Sequence, residues 1–236
     1  MTPPVVHLVG AGPGDVRLLT RRAADLLARA DVVVLDRPSL DSIASLAEGA
    51  ERIHVGRLPG QRAWSTAATV ALLVERARAG LLVVRLKGGD PFVCSRGGEE
   101  ALALRAQGID VQVTPGVTAA TAAPLAAGIP TGPAVTLAAG NHDAVSPPVG
   151  WTTVGAIDGA VVVLIGRSHQ GAVADGLIAG GRPAVAPAAL VHAATRVGER
   201  IVSGALGEVA GERLDPPATL VVAPVPSMRG DDRAHP

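Results

Sequence analysis

The sequence predicts an α/β protein of two α/β domains, the first with a five-stranded parallel sheet and the second with a mixed sheet. Three observations point to this. Short apolar, β-branched runs alternate with helix-patterned stretches across residues 5–113, as expected of parallel strands covered on both faces. Pro115-Gly116 then breaks the alternation, and the strands of the second half are short and less regularly spaced. Four of the first five strands end in glycine or charged residues, which the shared carboxyl edge of a parallel sheet would bring together. Residues 1–116 are assigned to an N-terminal domain, 117–226 to a C-terminal domain, and 227–236 to a polar tail expected to be disordered.

Residues 5–9 form the first apolar run and stop at Gly10-Ala-Gly-Pro-Gly-Asp15. This loop resembles the dinucleotide fingerprint but fails it, because the third glycine falls one residue early and Pro13 lacks an N–H. Thr20 is placed to cap a helix over 21–29, whose Ala23, Leu26, Leu27 and Ala30 share one face. Residues 32–35 are the second strand, followed at once by Asp36-Arg37-Pro38; Asp36 is either a helix cap or a site carboxylate. A helix is expected over 39–48, a strand over 52–55 ending at Gly56-Arg57, and a helix over 66–79 capped by Ser65 and closed by Gly80. The fourth strand, 81–86, runs into Lys87-Gly-Gly-Asp-Pro91, after which Gly97-Gly98 releases a helix over 99–107; the fifth strand is 110–113.

Val117-Thr-Ala-Ala-Thr121 opens an alanine-rich helix of the second domain. Strands are expected at 134–139, 160–165, 188–192, 200–203 and 219–223, with 191 and 203 in one hairpin. Helices follow 168, ending near 179, and occupy 206–212; the Pro- and Gly-rich stretch 141–151 is read as a loop.

Composition narrows the function. The chain has 236 residues, 48% hydrophobic and 18% charged, as in globular proteins. Two Trp, one Phe and no Tyr leave little for base stacking, and equal counts of 21 basic and 21 acidic residues remove any global attraction to nucleic acid or anionic membrane. Residues 111–140 carry no charge, but Pro115, Pro124, Pro130 and Pro133 forbid a continuous membrane helix. The N-terminus has no basic region before a long apolar stretch, and Cys94 is the lone cysteine, so a cytoplasmic location is expected. Cys94 is read as lining a pocket rather than as a nucleophile. Histidines 7, 54, 142, 169, 192 and 235 form no i, i+4 pair, and no metal site is expected.

The strand-end loops gather Asp15, Asp36 and Asp90 with Arg37, Arg57, Lys87 and Arg96, a set suited to a ligand with both cationic and anionic groups, or to two ligands together. Lys87 is the only lysine; every other basic residue is arginine.

Val9-Gly-Ala-Gly-Pro-Gly-Asp15 with Leu18-Leu-Thr20, Ala30-Asp-Val-Val-Val-Leu-Asp-Arg37, Val83-Val-Arg-Leu-Lys-Gly-Gly-Asp-Pro-Phe92 with Arg96-Gly-Gly-Glu-Glu100, and Pro115-Gly-Val-Thr-Ala119 together carry a family resemblance. In order and spacing over residues 5–130 the chain resembles the S-adenosylmethionine-dependent tetrapyrrole methylases, and among them the uroporphyrinogen-III C-methyltransferases. The block 85–92 is what separates that branch from its precorrin-methylating siblings. The resemblance implies a homodimer, no metal, and two α/β domains with the methyl donor in the cleft between them. It implies donor contacts at Pro13, Gly88, Gly89, Asp90 and Val93, then at Thr118, Ala119, Ile165 and Ala194. It further implies that Asp36 is the proton acceptor and that Arg57 holds the proton-donor position. Arg37, Lys87 and Arg96, beside Arg57, are the cations expected to meet the substrate's carboxylates. The implied reaction is methylation of uroporphyrinogen III at two ring carbons to give precorrin-2, for sirohaem or cobalamin synthesis.

The chain departs from the family at three places. Leu164-Ile-Gly166 stands where Tyr-Met-Gly is usual, Thr131-Gly-Pro133 replaces Leu-Thr-His-Arg, and Cys94-Ser95 replaces Phe-Gly. Arg57 does not release its proton near neutrality and is read as a charge clamp. A different tetrapyrrole substrate, or donor binding without turnover, are the alternative readings.

Overall fold

A computed structural model describes residues 3–56, 63–140, 150–165, 170–224 and 228. The chain divides into two compact units, Met1–Thr118 and Ala119–Pro236.

The first unit alternates strand and helix: β1 (Val5–Gly10), α1 (Arg21–Leu27), β2 (Val32–Leu35), α2 (Asp41–Ala44), β3 (Glu51–His54), α3 (Thr66–Arg78), β4 (Val83–Lys87), α4 (Gly97–Ala106) and β5 (Asp110–Thr114). The strands form one sheet in the order β3-β2-β4-β1-β5, and every pairing is parallel. Alternate residues supply the two faces. Val32, Val34 and Val83 pack with Leu73 of α3 and Leu104 of α4, whereas Val33, Leu35, Val84 and Leu86 pack with Leu27 of α1 and Ile43 of α2. Each fully buried leucine contributes roughly 1.5–3 kcal/mol by leaving water. Helix starts follow the caps expected from the sequence: Thr20 Oγ1 accepts from Ala23 N–H at 3.2 Å, and Ser65 Oγ accepts from Ala68 N–H at 3.1 Å.

The helix expected over 39–48 is shorter. Pro38 starts a 3-10 turn, α2 ends at Ala44, and Ser45 Oγ donates back to the Ser42 carbonyl at 2.8 Å, a local bond that competes with helix propagation.

The second unit contains α5 (Ala119–Ala126), β6 (Val135–Ala139), α6 (Trp151–Gly155), β7 (Ala160–Ile165), α7 (Gln170–Ala179), β8 (Pro187–His192), β9 (Arg200–Ala205), α8 (Leu206–Val209) and β10 (Ala218–Val222). Its sheet runs β6-β7-β10-β8-β9, with β6 and β7 parallel and the other pairs antiparallel, so it is mixed. β8 and β9 form the expected hairpin, with Val191 opposite Ile201. Gln170 fastens α7 to the chain before β10: its amide donates to the Leu214 carbonyl at 2.7 Å and accepts from Leu214 N–H at 3.1 Å.

Two expectations need correction here. α8 ends at Val209, earlier than the expected 206–212 helix. The segment read as a loop over 141–151 ends in a helix, because α6 begins at Trp151; residues 141–149 lie outside the described residues. The β-branched Thr152-Thr-Val154 run is a weak helix former. Packing overrides it: Gly176 and Gly180 let α6 approach so closely that a Cβ on either would fall 2.5 Å from Trp151 Cβ or 2.1 Å from the Thr152 carbonyl oxygen. The tail 227–236 also lies outside the described residues, except for Met228, whose N–H donates to the Gly128 carbonyl at 2.8 Å.

Candidate functional site

The strands of the first sheet end on one edge, in register: Gly10 of β1 is opposite Lys87 of β4, Leu35 of β2 opposite Leu86, and His54 of β3 opposite Leu35. The loops beyond them are tied together by backbone. Ala11 N–H donates to the Lys87 carbonyl at 2.8 Å, and Gly12 and Gly89 exchange hydrogen bonds at 3.1 and 2.8 Å. A Cβ on Gly116 would lie 2.2 Å from the Gly89 carbonyl oxygen, and one on Gly10 would lie 2.5 Å from Gly116 N, so three chain segments touch where no side chain fits. Pro13 is buried in this cluster.

Asp90 completes the tie. Its carboxylate accepts from Phe92 N–H at 2.8 Å and from Gly116 N–H at 3.0 Å, fastening the glycine loop to the exit of β5. Gly88 is backed differently. A Cβ there would sit 3.4 Å from Arg37 Cζ, so the guanidinium covers bare backbone at the end of β4.

Asp36 is no cap: the 3-10 turn starts from Arg37 and α2 from Leu40, each without a side-chain capping bond. Its side chain is 25% exposed, and Oδ1 is buried without accepting a hydrogen bond, 3.5 Å from Arg37 Nε. A covered carboxylate oxygen that accepts no hydrogen bond costs about 1–3 kcal/mol, offset in part here by the Arg37 ion pair, and that cost points to use by a ligand. Arg37 is 47% exposed beside it. Gly56 runs against the Asp36 backbone, where a Cβ would overlap the Asp36 carbonyl, so the residue before Arg57 lies next to Asp36. Arg57 itself lies outside the described residues.

Lys87 is placed differently from a cation offered to a substrate. Its side chain is 4% exposed, and Nζ donates to Glu100 Oε1 at 3.1 Å. Burial lowers its pKa first, helped by the nearby Arg85 charge, against the opposing pull of Glu100 and Asp36. Lys87, expected to meet substrate carboxylates, is thus buried and bonded to Glu100, unlike the exposed Arg37 and Arg96. Arg96 is exposed at the start of α4, and Asp15 is paired with Arg17 at 2.6 Å, away from the role of a ligand carboxylate.

Among the described residues, three non-glycine residues have left-handed backbone: Cys94 (φ 47°), Ala193 (φ 49°) and Thr195 (φ 68°). Each adjoins an expected donor contact, Cys94 following Val93 and the other two flanking Ala194. Strained backbone of this kind persists where neighbours hold it, and Ala193 N–H donates to the Pro217 carbonyl while Thr195 N–H donates to Glu199 Oε2 at 2.7 Å. Partial burial raises the Cys94 thiol pKa, which argues against a thiolate nucleophile there. Thr118 closes the first unit and Ala119 opens α5. In the second unit β7 ends at Ile165 and β8 at His192, both opposite Ala218 of β10, so Ile165 and the 193–195 turn leave that sheet at the same edge.

The sequence reading missed Arg85 and Glu100. Arg85 lies in the central strand, its guanidinium forking onto both Glu100 oxygens at 3.0 and 3.1 Å. The signal was present: charge inside an otherwise apolar strand demands a buried partner. Among the described residues no cluster of three or more His, Cys, Asp or Glu could hold a metal ion, and no helix is long and apolar enough to cross a membrane.

Residues 5–210 match the family described as tetrapyrrole (corrin/porphyrin) methylases. The chain is 40% identical over 225 residues to the uroporphyrinogen-III C-methyltransferase of Methanobacterium ivanovii, covering 92% of this chain and 96% of that one. It is 38% identical over 232 residues to an S-adenosyl-L-methionine-dependent uroporphyrinogen III methyltransferase of Methanosarcina barkeri, covering 93% and 91%. Its fold is similar to the crystal structure of uroporphyrin-III C-methyl transferase from Thermus thermophilus complexed with S-adenosylhomocysteine, with a TM-score of 0.78 and 36% identity over 92% of this chain and 91% of that one.

Proposed function

We propose, since this chain belongs to the tetrapyrrole (corrin/porphyrin) methylase family, that it methylates uroporphyrinogen III at two ring carbons, using S-adenosylmethionine, to give precorrin-2. The product would enter sirohaem or cobalamin synthesis. The observation that carries the reading is Asp36: a covered carboxylate oxygen without a hydrogen bond, at the strand edge where the glycine loops meet. The donor reading is supported by the glycine loop after β4, whose Gly88 and Gly89 carry no side chain, and by left-handed residues beside Val93 and Ala194.

When bound, the donor supplies an electrophilic methyl group on a sulfonium centre. Asp36 takes the proton that leaves the macrocycle as the new carbon–carbon bond forms. Pro13, Gly88, Gly89 and Val93 hold the donor by backbone and van der Waals contact, and Asp90 keeps their loop in shape. The resemblance assigns further donor contacts to Thr118, Ala119, Ile165 and Ala194. Arg37 and Arg96 meet substrate carboxylates, with Arg57 as a charge clamp; orientation and charge complementarity are the protein's main contribution. A homodimer and a cytoplasmic location belong to the same reading.

The test is anaerobic incubation of purified protein with uroporphyrinogen III and donor, followed by mass spectrometry. A product heavier by two CH2 units is expected, each methyl group being added to a fully substituted ring carbon with loss of one proton from elsewhere on the macrocycle. A second reading, methylation of another tetrapyrrole, is favoured by Thr131-Gly-Pro133, which lacks the arginine usual in the family. It predicts donor binding with no product from uroporphyrinogen III and turnover of a precorrin-like substrate.

A further inference from the structure

Arg85 and Lys87 alternate with Val84 and Leu86 along β4, so both point to the face covered by α3 and α4, where Val83 packs. Val32 and Val34 of β2 point the same way, and the next residue of that phase is Asp36. β2 and β4 are neighbours with Val34 opposite Arg85 and Leu35 opposite Leu86, which puts Asp36 one step on, beside Lys87. From α4, Glu100 reaches into the same space and is 6% exposed.

The charges do not cancel within this cluster. The Arg85 fork takes both Glu100 oxygens and neutralises it, and Arg85 Nη1 also donates to the Val34 carbonyl at 3.3 Å. Lys87 shares Glu100 Oε1 and is the surplus charge. A buried ammonium in excess of its counter-ions is costly, and it favours a carboxylate at the one neighbouring position that supplies one. No hydrogen bond links it to Asp36 Oδ1, which lies 3.5 Å from Arg37 Nε; the carboxylate is thus flanked by a half-exposed cation, Arg37, and a buried one, Lys87, and neither hydrogen-bonds the atom that takes a proton.

We propose that Lys87, braced by Glu100 and Arg85, is a positioning residue that holds the Asp36 carboxylate at the sheet edge for proton acceptance. This rests on the reading of Asp36 given above. It explains why the chain's single lysine is spent on a buried position rather than on a substrate carboxylate.

That lysine makes the test direct, because the full-length protein grown on 13Cε-lysine gives one lysine side-chain resonance. Its titration is followed in the wild type and in Asp36→Asn. Lys87 is surrounded by Arg85 from its own strand, Glu100 from α4 and Asp36 beyond β2, with Arg37 paired to that carboxylate and lying over Gly88. Removing the Asp36 charge should move the Lys87 midpoint down by about one pH unit; an unmoved midpoint in a folded Asp36→Asn protein overturns the proposal, whatever the turnover. In kinetics, Lys87→Met should lower kcat at least about tenfold with unchanged donor Kd, since Glu100 keeps Arg85. Unchanged kcat, or kcat and donor affinity falling together, overturns it. Full turnover by Asp36→Asn would instead defeat the reading of Asp36 while leaving the titration result standing.

Discussion

In the proposed function, the strand edge is what would make a base of an ordinary aspartate, Asp36. Parallel pairing delivers it to the edge, the Gly56 backbone presses on its main chain, and Oδ1 is covered without a hydrogen bond. Arg37 covers Gly88 with its guanidinium and remains half exposed, which fits it to a substrate carboxylate, whereas Lys87 is buried. In steady-state kinetics, Asp36→Asn should lose turnover by about 10²–10⁴-fold, the usual worth of a general base. Donor affinity measured by calorimetry should stay at the wild-type value. Comparable losses in both would mean that Asp36 holds the donor instead.

At the scale of the elements, the glycine loops act as spacers that let three strand exits touch. Gly116 follows β5, Gly89 follows β4 and Gly10 ends β1, and their backbones meet at distances that exclude a methyl group. Gly116→Ala must push against the Gly89 carbonyl, so denaturant unfolding should show a loss of about 1–3 kcal/mol, and donor binding should weaken with it. An alanine variant with wild-type stability and affinity would mean that this contact is dispensable. The helices on the opposite faces are held by ordinary amphipathic burial and side-chain caps, and their ends were readable from Thr20 and Ser65. α2 and α6 were not, for opposite reasons. Ser45 bonds locally and stops α2, while packing against Gly176 and Gly180 makes a helix of a weak helix former.

At the scale of the whole molecule, alternation of apolar runs was enough to give a parallel sheet in the first unit and a mixed one in the second, because hydrophobic period and chain connectivity constrain both. The placement of Asp36, Asp90 and the glycine loops at one sheet edge was legible for the same reason, since it follows from where the strands stop. The Arg85–Glu100–Lys87 cluster was not, since Glu100 looks like one more solvated helix charge until α4 is laid on the sheet. Global stability carries its own titration. His7 in β1 has a buried Nδ1 without a hydrogen bond, and its pKa is lowered from 6.5, first by burial and then by Arg22 and Arg29, with Asp110 opposing. Below 6.5 the unfolded chain takes up this proton before the folded one does. The His7 contribution is therefore intact above that pH and lost as pH falls through the lowered folded value. Denaturant midpoints should drop over this window, and His7→Val should flatten the slope; an unchanged slope would remove His7 from the account. The central claim, that the carboxyl edge of the first sheet holds the donor beside Asp36, is tested most directly by a crystal structure of this protein with S-adenosylhomocysteine. The account predicts density for the nucleoside product against Pro13 and the Gly88-Gly89 backbone, with its sulfur on the side facing Asp36. Density elsewhere on the chain, with this edge empty, would contradict it.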